Sequence, residues 1–100
     1  MYNKEVDTKI TVKEEKRYND GLVYKYKLLM HFGKSVANFS LPMYSVSVEL
    51  LQSDGEIITN AEINDIFSSE EKAFAFFAKI VDNLVTPIDL QFVFEDMLTI

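Results

Sequence analysis

The 100-residue sequence predicts an α+β fold, in which an antiparallel four-stranded sheet made of two hairpins is followed by two helices packed on one face. Three observations predict it. Much of the first half alternates apolar and polar side chains with a period of two, which is typical of half-buried strands. The pairs Asp20-Gly21 and Asp54-Gly55 mark turns. From Ser68 to Leu98, apolar residues recur at spacings of three and four, which predicts helices in a single domain spanning residues 1–100.

The first hairpin combines residues 5–13 with residues 22–32. In both stretches the apolar side chains fall on even positions, so we expect the even positions to face the core. A two-residue loop of Asp20 and Gly21 would break this parity, whereas a three-residue loop from Asn19 to Gly21 preserves it. We therefore predict a type I turn with Gly21 in a left-handed bulge. This register pairs Val12 with Leu28 and Ile10 with Met30.

The second hairpin follows the same logic around the turn Ser53-Asp54-Gly55. Apolar even positions from Tyr44 to Leu50 precede this turn. A three-residue loop places Leu50 opposite Ile58 on the core face. The same register places Leu51 opposite Ile57 on the outer face. Between the hairpins, residues 33–42 are irregular and predict a loop over the sheet edge.

Two amphipathic helices close the chain. Ser68 and Glu71 have the spacing of a capping box and predict the start of the first helix. Thr86-Pro87 predicts the start of the second helix, with Thr86 as its cap. Phe76 lies about 100° from the centre of the first apolar stripe, so it either meets the second helix or stays partly exposed. Phe92 lies off the second stripe and is expected to be exposed.

The composition predicts a soluble cytoplasmic protein. The chain has no cysteine, which excludes disulfides, thiolate catalysis and cysteine-ligated metal sites. Its amino terminus lacks an apolar signal core, and its apolar runs are too short to span a bilayer. The net charge of −6 is uneven, since residues 1–40 hold eight Lys/Arg against five Asp/Glu and residues 41–100 hold two against eleven. We expect no nucleic-acid partner, because phosphate binding needs an excess of cations, and no membrane partner.

The sequence predicts no catalytic residue, no cofactor and no metal site. His31 is the only histidine, and the parity of its strand points it outward to solvent. As a general base it would need an orienting carboxylate. The acidic pairs Glu70-Glu71 and Glu95-Asp96 diverge by about 100° on a helix, so neither pair converges on one cation. We therefore expect the protein not to be an enzyme.

Several stretches of the chain resemble a known family. They are YKYKLL from Tyr24, YSVSVEL from Tyr44 with the Asp-Gly turn after it, the run Ile63–Ala73, and NLVTPIDLQFVFEDML from Asn83. They resemble a small clostridial-type family that is classed as a domain of unknown function. The resemblance implies a strand-rich front and a closing helical pair, and it implies no activity, substrate or catalytic residue. Residues 33–43 depart from the resemblance by being longer and more apolar.

Two functions from different classes fit these observations. The first is a non-enzymatic protein-interaction or regulatory module that binds a protein partner or forms a homodimer, because several apolar side chains are predicted to face outward. Its interaction residues are Val23, Leu29, Leu51, Ile57, Phe76 and Phe92. The second is a small-molecule binder with a pocket between sheet and helices, where hydroxyls enter an apolar layer. Its lining residues are Tyr24, Tyr26, Tyr44 and Phe77.

Overall fold

The computed structural model describes residues 9–32 and 41–98, and it confirms the predicted α+β fold. Four strands form one antiparallel sheet in the order β1-β2-β3-β4. The elements are β1 (Ile10–Asn19), β2 (Leu22–Phe32), β3 (Pro42–Gln52), β4 (Ile57–Phe67), α1 (Glu70–Asp82) and α2 (Pro87–Leu98). The part of the first predicted strand before Lys9 and residues 33–40 of the predicted loop at 33–42 lie outside the described residues, and Pro42 belongs to β3 instead of the loop.

The β1–β2 turn differs from the prediction. Asn19 pairs with Leu22, so the loop has two residues, Asp20 and Gly21, with φ of 53° and 76°. Positive φ at both positions is the geometry of a type I′ turn, whose twist matches that of the flanking strands. The predicted three-residue loop is therefore wrong.

A β-bulge in β1 gives residues 10 and 11 the same pairing that the predicted three-residue loop would have given. Thr11 pairs with Leu29 but Lys13 pairs with Leu28, so Val12 is the extra residue. Ile10 still pairs with Met30, as predicted, whereas Val12 does not pair with Leu28. Because the bulge reverses the parity, odd positions of β1 beyond it face the helices. The prediction failed because a bulge in an edge strand corrects parity as well as a longer turn does.

The β3–β4 turn has the predicted three-residue loop. The Gly55 amide donates to the Gln52 carbonyl at 2.9 Å, and the Gln52 amide donates to the Glu56 carbonyl at 2.9 Å. Gly55 has a φ of 94°, which a residue with a side chain rarely adopts. Leu51 pairs with Ile57 as predicted.

Strand β4 departs from a regular register twice. Leu50 pairs with Thr59, so the predicted Leu50–Ile58 pair is wrong and Ile58 becomes the extra residue of a bulge. Further along, Tyr44 pairs with Phe67 while Val46 pairs with Ile63, which leaves a wider bulge in β4. These irregularities bend and twist the edge strand.

The core lies between one face of the sheet and the two helices. Even positions of β2 and β3 supply its sheet side, as predicted, and buried residues of both helices and their connection supply the other. The largest fully buried members are Tyr26, Leu28, Val46, Val48, Phe76, Phe77, Ile80 and Leu90. Burial of this apolar surface is the main favourable term for the fold, at about 25 cal/mol per Å². Helices α1 and α2 are therefore held by their buried sides against β2, β3 and β4.

The helix ends are set by local hydrogen bonds. Helix α1 is capped by Ser69, whose Oγ accepts from the Lys72 amide at 3.3 Å, so the predicted cap at Ser68 is off by one residue. Helix α2 begins at Pro87 and Thr86 Oγ1 accepts from the Asp89 amide at 3.2 Å, as predicted. In the part of the chain that the structure describes, neither helix has the length and apolarity needed to cross a membrane.

Candidate functional site

Four apolar side chains form a row across the outer face of the sheet, on the side away from the helices and near both hairpin turns. Pairing places Tyr18 beside Val23, Val23 beside Leu51, and Leu51 beside Ile57. Tyr18 is 75% exposed and Ile57 is 49% exposed, while Val23 and Leu51 are half-buried. We call these four residues the apolar row. The sequence pattern misses Tyr18, because even parity along β1 would turn this side chain to the core.

Charged side chains lie beside the apolar row on the same face. The next row across the strands contains Lys16, Lys25, Glu49 and Asn60, and the one after it contains Glu14, Lys27, Ser47 and Glu62. Lysines are on β1 and β2, while the carboxylates of Glu49 and Glu62 are on β3 and β4. Lys25 Nζ lies 3.9 Å from the Glu14 carboxylate. The face is thus basic on one half and acidic on the other, with Glu14 as the exception.

The opposite end of the outer face holds a polar cluster, which we define as Lys9, His31, Ser45, Glu62, Asn64 and Asp65. His31 Nε2 lies 2.6 Å from the Asp65 carboxylate, and the His31 side chain is only 12% exposed. His31 is on the outward side of its strand as predicted, but its side chain is largely buried and not solvent-exposed, and Asp65 from β4 reaches across the sheet to it. Lys9 Nζ lies 2.6 Å from Glu62 and also donates to the Asn64 amide oxygen.

Ser45 holds the backbone of the wide β4 bulge within this cluster. Its side chain is fully buried, and Oγ accepts from the Asp65 amide at 3.0 Å. Asp65 has a φ of 55°, a left-handed conformation that costs a residue with a side chain about 1 kcal/mol or more. A histidine, a carboxylate and a serine lie near one another here, but the serine hydroxyl bonds to backbone. The arrangement therefore ties β4 to β2 and β3.

Leu29 belongs to this end of the sheet and not to the apolar row. It pairs with Thr11 on one side and Ser45 on the other, and it is half-buried. Of the six predicted interaction residues, the structure thus brings Val23, Leu51 and Ile57 together and separates Leu29 from them. Because strand residues are spaced by about 3.3 Å, the six positions between Val23 and Leu29 span about 20 Å.

The two phenylalanines of the predicted interaction set have opposite environments. Phe76 is buried in the core, and its ring centroid lies 5.7 Å from that of Phe94 on α2 and 5.8 Å from that of Phe67. Phe76 therefore meets the second helix and offers no surface to a partner. Phe92 is 65% exposed and lines an open groove of about 720 Å³ beside α2.

The four residues predicted to line a pocket are buried together in the core. Tyr24, Tyr26, Tyr44 and Phe77 all belong to the same cluster between sheet and helices. The Tyr26 hydroxyl donates to the Val85 carbonyl at 3.0 Å, and the Tyr24 and Tyr26 rings stack with centroids 6.4 Å apart. Burial, with a smaller contribution from Tyr24, raises the pKa of Tyr26 to about 12. Phe77 also borders a small groove of about 90 Å³ between β1 and α1.

Metal ligation has no support among the residues that the structure describes. Within 9–32 and 41–98, no group of three or more histidine, aspartate or glutamate side chains is placed to hold an ion.

Comparison with known proteins gives one match. No curated protein and no solved structure matches the chain. A family model described as a family of unknown function, DUF6514, matches residues 4–100. This confirms the resemblance to a family without an assigned activity, with four strands and then two helices. The chain belongs to the family of unknown function DUF6514.

Proposed function

We propose that the protein is a cytoplasmic, non-enzymatic interaction module that forms a homodimer through the face of its sheet opposite the helices. The observation that supports this function is the apolar row, which crosses all four strands on the face opposite the helices. A sheet normally buries one face and solvates the other, with polar side chains outward. An unbroken apolar row on the solvated face favours burial against another surface.

A two-fold axis makes this face complementary to itself. If the axis runs parallel to the strands between β2 and β3, then β2 of one protomer lies over β3 of its partner. The apolar row then stacks on the same row of the second copy, with Val23 over Leu51 of the partner subunit. Each such contact occurs twice, as in any isologous interface. Burial of these side chains would contribute about 25 cal/mol per Å² of apolar area.

The same axis also brings one pair of opposite charges together. It places Lys25 over Glu49 of the partner subunit, because these residues lie in one row on neighbouring strands. Lys27 then lies over Ser47, and Lys16 over Asn60, of the partner subunit. Glu14 and Glu62 would approach each other, but Glu14 has Lys25 at 3.9 Å and Glu62 has Lys9 at 2.6 Å to offset their charges. Lys25 and Glu49 are thus the one oppositely charged pair that these two rows bring together across the interface, and the two-fold axis repeats it.

The size of the face is below that of a standard interface and points to a weak dimer. Strands β2 and β3 have 11 residues each. At about 3.3 Å per residue and about 4.8 Å per strand, the whole four-stranded face measures about 36 by 19 Å, or about 700 Å². The end that carries the buried Ser45 and the largely buried His31 does not add to the area that a partner can contact. A standard interface buries about 800 Å² on each partner. The homodimer is therefore expected to be reversible and dependent on concentration.

The test is the oligomeric state of matched variants, measured by analytical ultracentrifugation over a concentration series. We expect the wild type to dimerise and Ile57→Lys to dissociate the dimer, because a charge would be buried in the apolar row. Ile88→Lys is the control, since Ile88 is exposed on α2. Lys25→Glu and Glu49→Lys should each weaken the dimer, and the double variant should recover it. A wild type that stays monomeric, or equal effects of Ile57→Lys and Ile88→Lys, would overturn the proposal.

Native mass spectrometry separates this function from the small-molecule alternative. A dimer mass without additional mass supports the interaction module. A monomer with a reproducible adduct, lost in Tyr44→Ala, would instead favour ligand binding near the buried tyrosines.

A further inference from the structure

The groove beside α2 is a second surface, separate from the sheet face. It lies between the α1–α2 connection and one side of α2, and its volume is about 720 Å³. Leu84 and Val85 of the connection and Phe92 and Val93 of α2 supply its apolar lining. Because α2 packs on the helical side of the sheet, this groove and the apolar row face away from each other. A partner could therefore occupy the groove without displacing a second copy from the sheet.

Exposed apolar side chains on α2 include Phe92 in the groove and Ile88 outside its lining. Phe92 is 65% exposed and Ile88, one turn earlier, is 72% exposed. Residues four apart on a helix are neighbours, so these two side chains form one continuous apolar strip. Helix α2 fully buries only Pro87 and Leu90 among its described residues. Helix α2 thus exposes an apolar strip next to its polar side chains, and large aromatic side chains such as Phe92 are the usual anchors of interfaces.

Among the residues that the structure describes, every charged side chain lining the groove is acidic. Residues 80–100 contain four acidic residues and no lysine, arginine or histidine. Three of the acidic residues, Asp89, Glu95 and Asp96, line the groove itself. An anionic lipid surface or an acidic peptide would be repelled by this rim. A partner with cationic side chains beside an apolar strip would be attracted.

The backbone around the groove favours a helical partner over an extended one. An extended peptide gains affinity by main-chain hydrogen bonds to a free sheet edge, and the groove is bordered by a helix whose amides and carbonyls bond internally. A helical peptide satisfies its own backbone, and its apolar residues at spacings of three and four can contact the Ile88–Phe92 strip.

We propose that the groove beside α2 docks a basic amphipathic helix of a partner protein, with Phe92 as the anchor and Asp89 and Glu95 as the charge-selecting residues. This proposal does not depend on the homodimer. The groove and the apolar row lie on opposite sides of the molecule. Phe92→Ser changes only the groove, and Ile57→Lys changes only the apolar row.

The test uses synthetic helical peptides as probes and isothermal titration calorimetry as the measurement. The probe is a Leu/Lys amphipathic peptide of about 14 residues, about four helical turns. A Leu/Glu peptide of the same pattern tests charge, and a Lys/Ser peptide without leucine tests the apolar contact. We expect only the Leu/Lys peptide to bind measurably. Phe92→Ser should weaken binding at least about tenfold, as expected for loss of an aromatic anchor.

Two further variants make the test specific. Asp89→Lys combined with Glu95→Lys should reverse the preference, so that the Leu/Glu peptide binds and the Leu/Lys peptide does not. Ile57→Lys, on the sheet face, should leave peptide affinity unchanged. Equal binding of the Leu/Lys peptide to wild type and Phe92→Ser would overturn the proposal, as would equal binding of the Leu/Lys and Lys/Ser peptides. Circular dichroism and urea unfolding establish that each variant is folded.

Discussion

Replacing Tyr26 by phenylalanine tests how the helices are joined to the sheet. Tyr26 is fully buried in β2, and its hydroxyl donates to the Val85 carbonyl at 3.0 Å in the connection between α1 and α2. Tyr26→Phe keeps the ring and removes this hydrogen bond, leaving the carbonyl without that donor. A buried neutral hydrogen bond contributes about 1 kcal/mol, and an unsatisfied buried acceptor costs about 1–3 kcal/mol. We therefore expect Tyr26→Phe to lower the free energy of unfolding at neutral pH by about 1.5 kcal/mol.

The sign of this difference should reverse at high pH. Burial raises the pKa of Tyr26 in the folded protein to about 12, from its ordinary value of 10.0. The folded state therefore holds the phenolic proton more tightly than the unfolded state does. The tighter binding of this proton adds about 3 kcal/mol to the free energy of unfolding. The added stability is fully present below about pH 10 and is lost as the pH rises to about 12. Tyr26→Phe has no such proton, so its stability should cross that of the wild type near about pH 11.

The measurement is urea unfolding followed by far-UV circular dichroism at several pH values between about 7 and about 11.5. Other titrating groups are common to both proteins, so the difference between the two curves isolates Tyr26. Tyr18→Phe is the control, because Tyr18 is 75% exposed and the change should stay within about 0.5 kcal/mol at every pH. A wild-type advantage that is constant across this pH range would refute the reasoning. The reasoning would also be refuted if the stability of Tyr18→Phe crossed that of the wild type near the same pH.

Two serine substitutions test local features that the sequence pattern missed. Ser45→Ala removes the buried acceptor of the Asp65 amide and should cost about 1–2 kcal/mol in urea unfolding, whereas Ser47→Ala on the same strand and face should cost less than about 0.5 kcal/mol. Ser69→Ala removes the cap of α1 and should cost about 1 kcal/mol, while Ser68→Ala should be nearly neutral. Equal costs within either pair would contradict the hydrogen bonds assigned to Ser45 and Ser69.

The order and type of the elements could be predicted from the sequence because they depend on local periodicity. The even positions of β2 and β3 face the core as their alternation indicates, and the three-residue turn ending at Gly55 forms where expected. Pro87 begins α2 because its missing amide and fixed φ suit the first helical turn. Each of these features involves residues that are close in sequence.

The register errors have a different cause. Parity along β1 is compatible with either a longer turn or a bulge, and the two differ in which residues face the helices beyond Val12. The alternation of apolar and polar residues does not indicate how well a type I′ turn fits the twist of the sheet. Tyr18 lies beyond the predicted strand at residues 5–13 and was not among the predicted interaction residues, so the apolar row was predicted without it.

The candidate site was only partly predictable, because exposure depends on neighbours distant in sequence. Phe76 and Phe92 both lie off their helical stripes, yet Phe76 is buried by Phe67 and Phe94 while Phe92 remains exposed. His31 is on the outward side of its strand, yet Asp65 lies 2.6 Å from it. Helix periodicity specifies the direction in which a side chain points around the helix axis. Whether that side chain is buried depends on which other element of the fold lies in that direction.

The sequence by itself determined the fold class, the number and order of the strands and helices, and the acidic charge of the second half of the chain, because periodicity, turn residues and composition act locally. The tertiary structure alone decided which outward side chains become neighbours. Cross-strand pairing joined Tyr18, Val23, Leu51 and Ile57 into one row and moved Leu29 to the polar end. The physical reason is that register and packing are properties of pairs of elements, and pairwise contacts across a sheet are not encoded in the spacing within either strand.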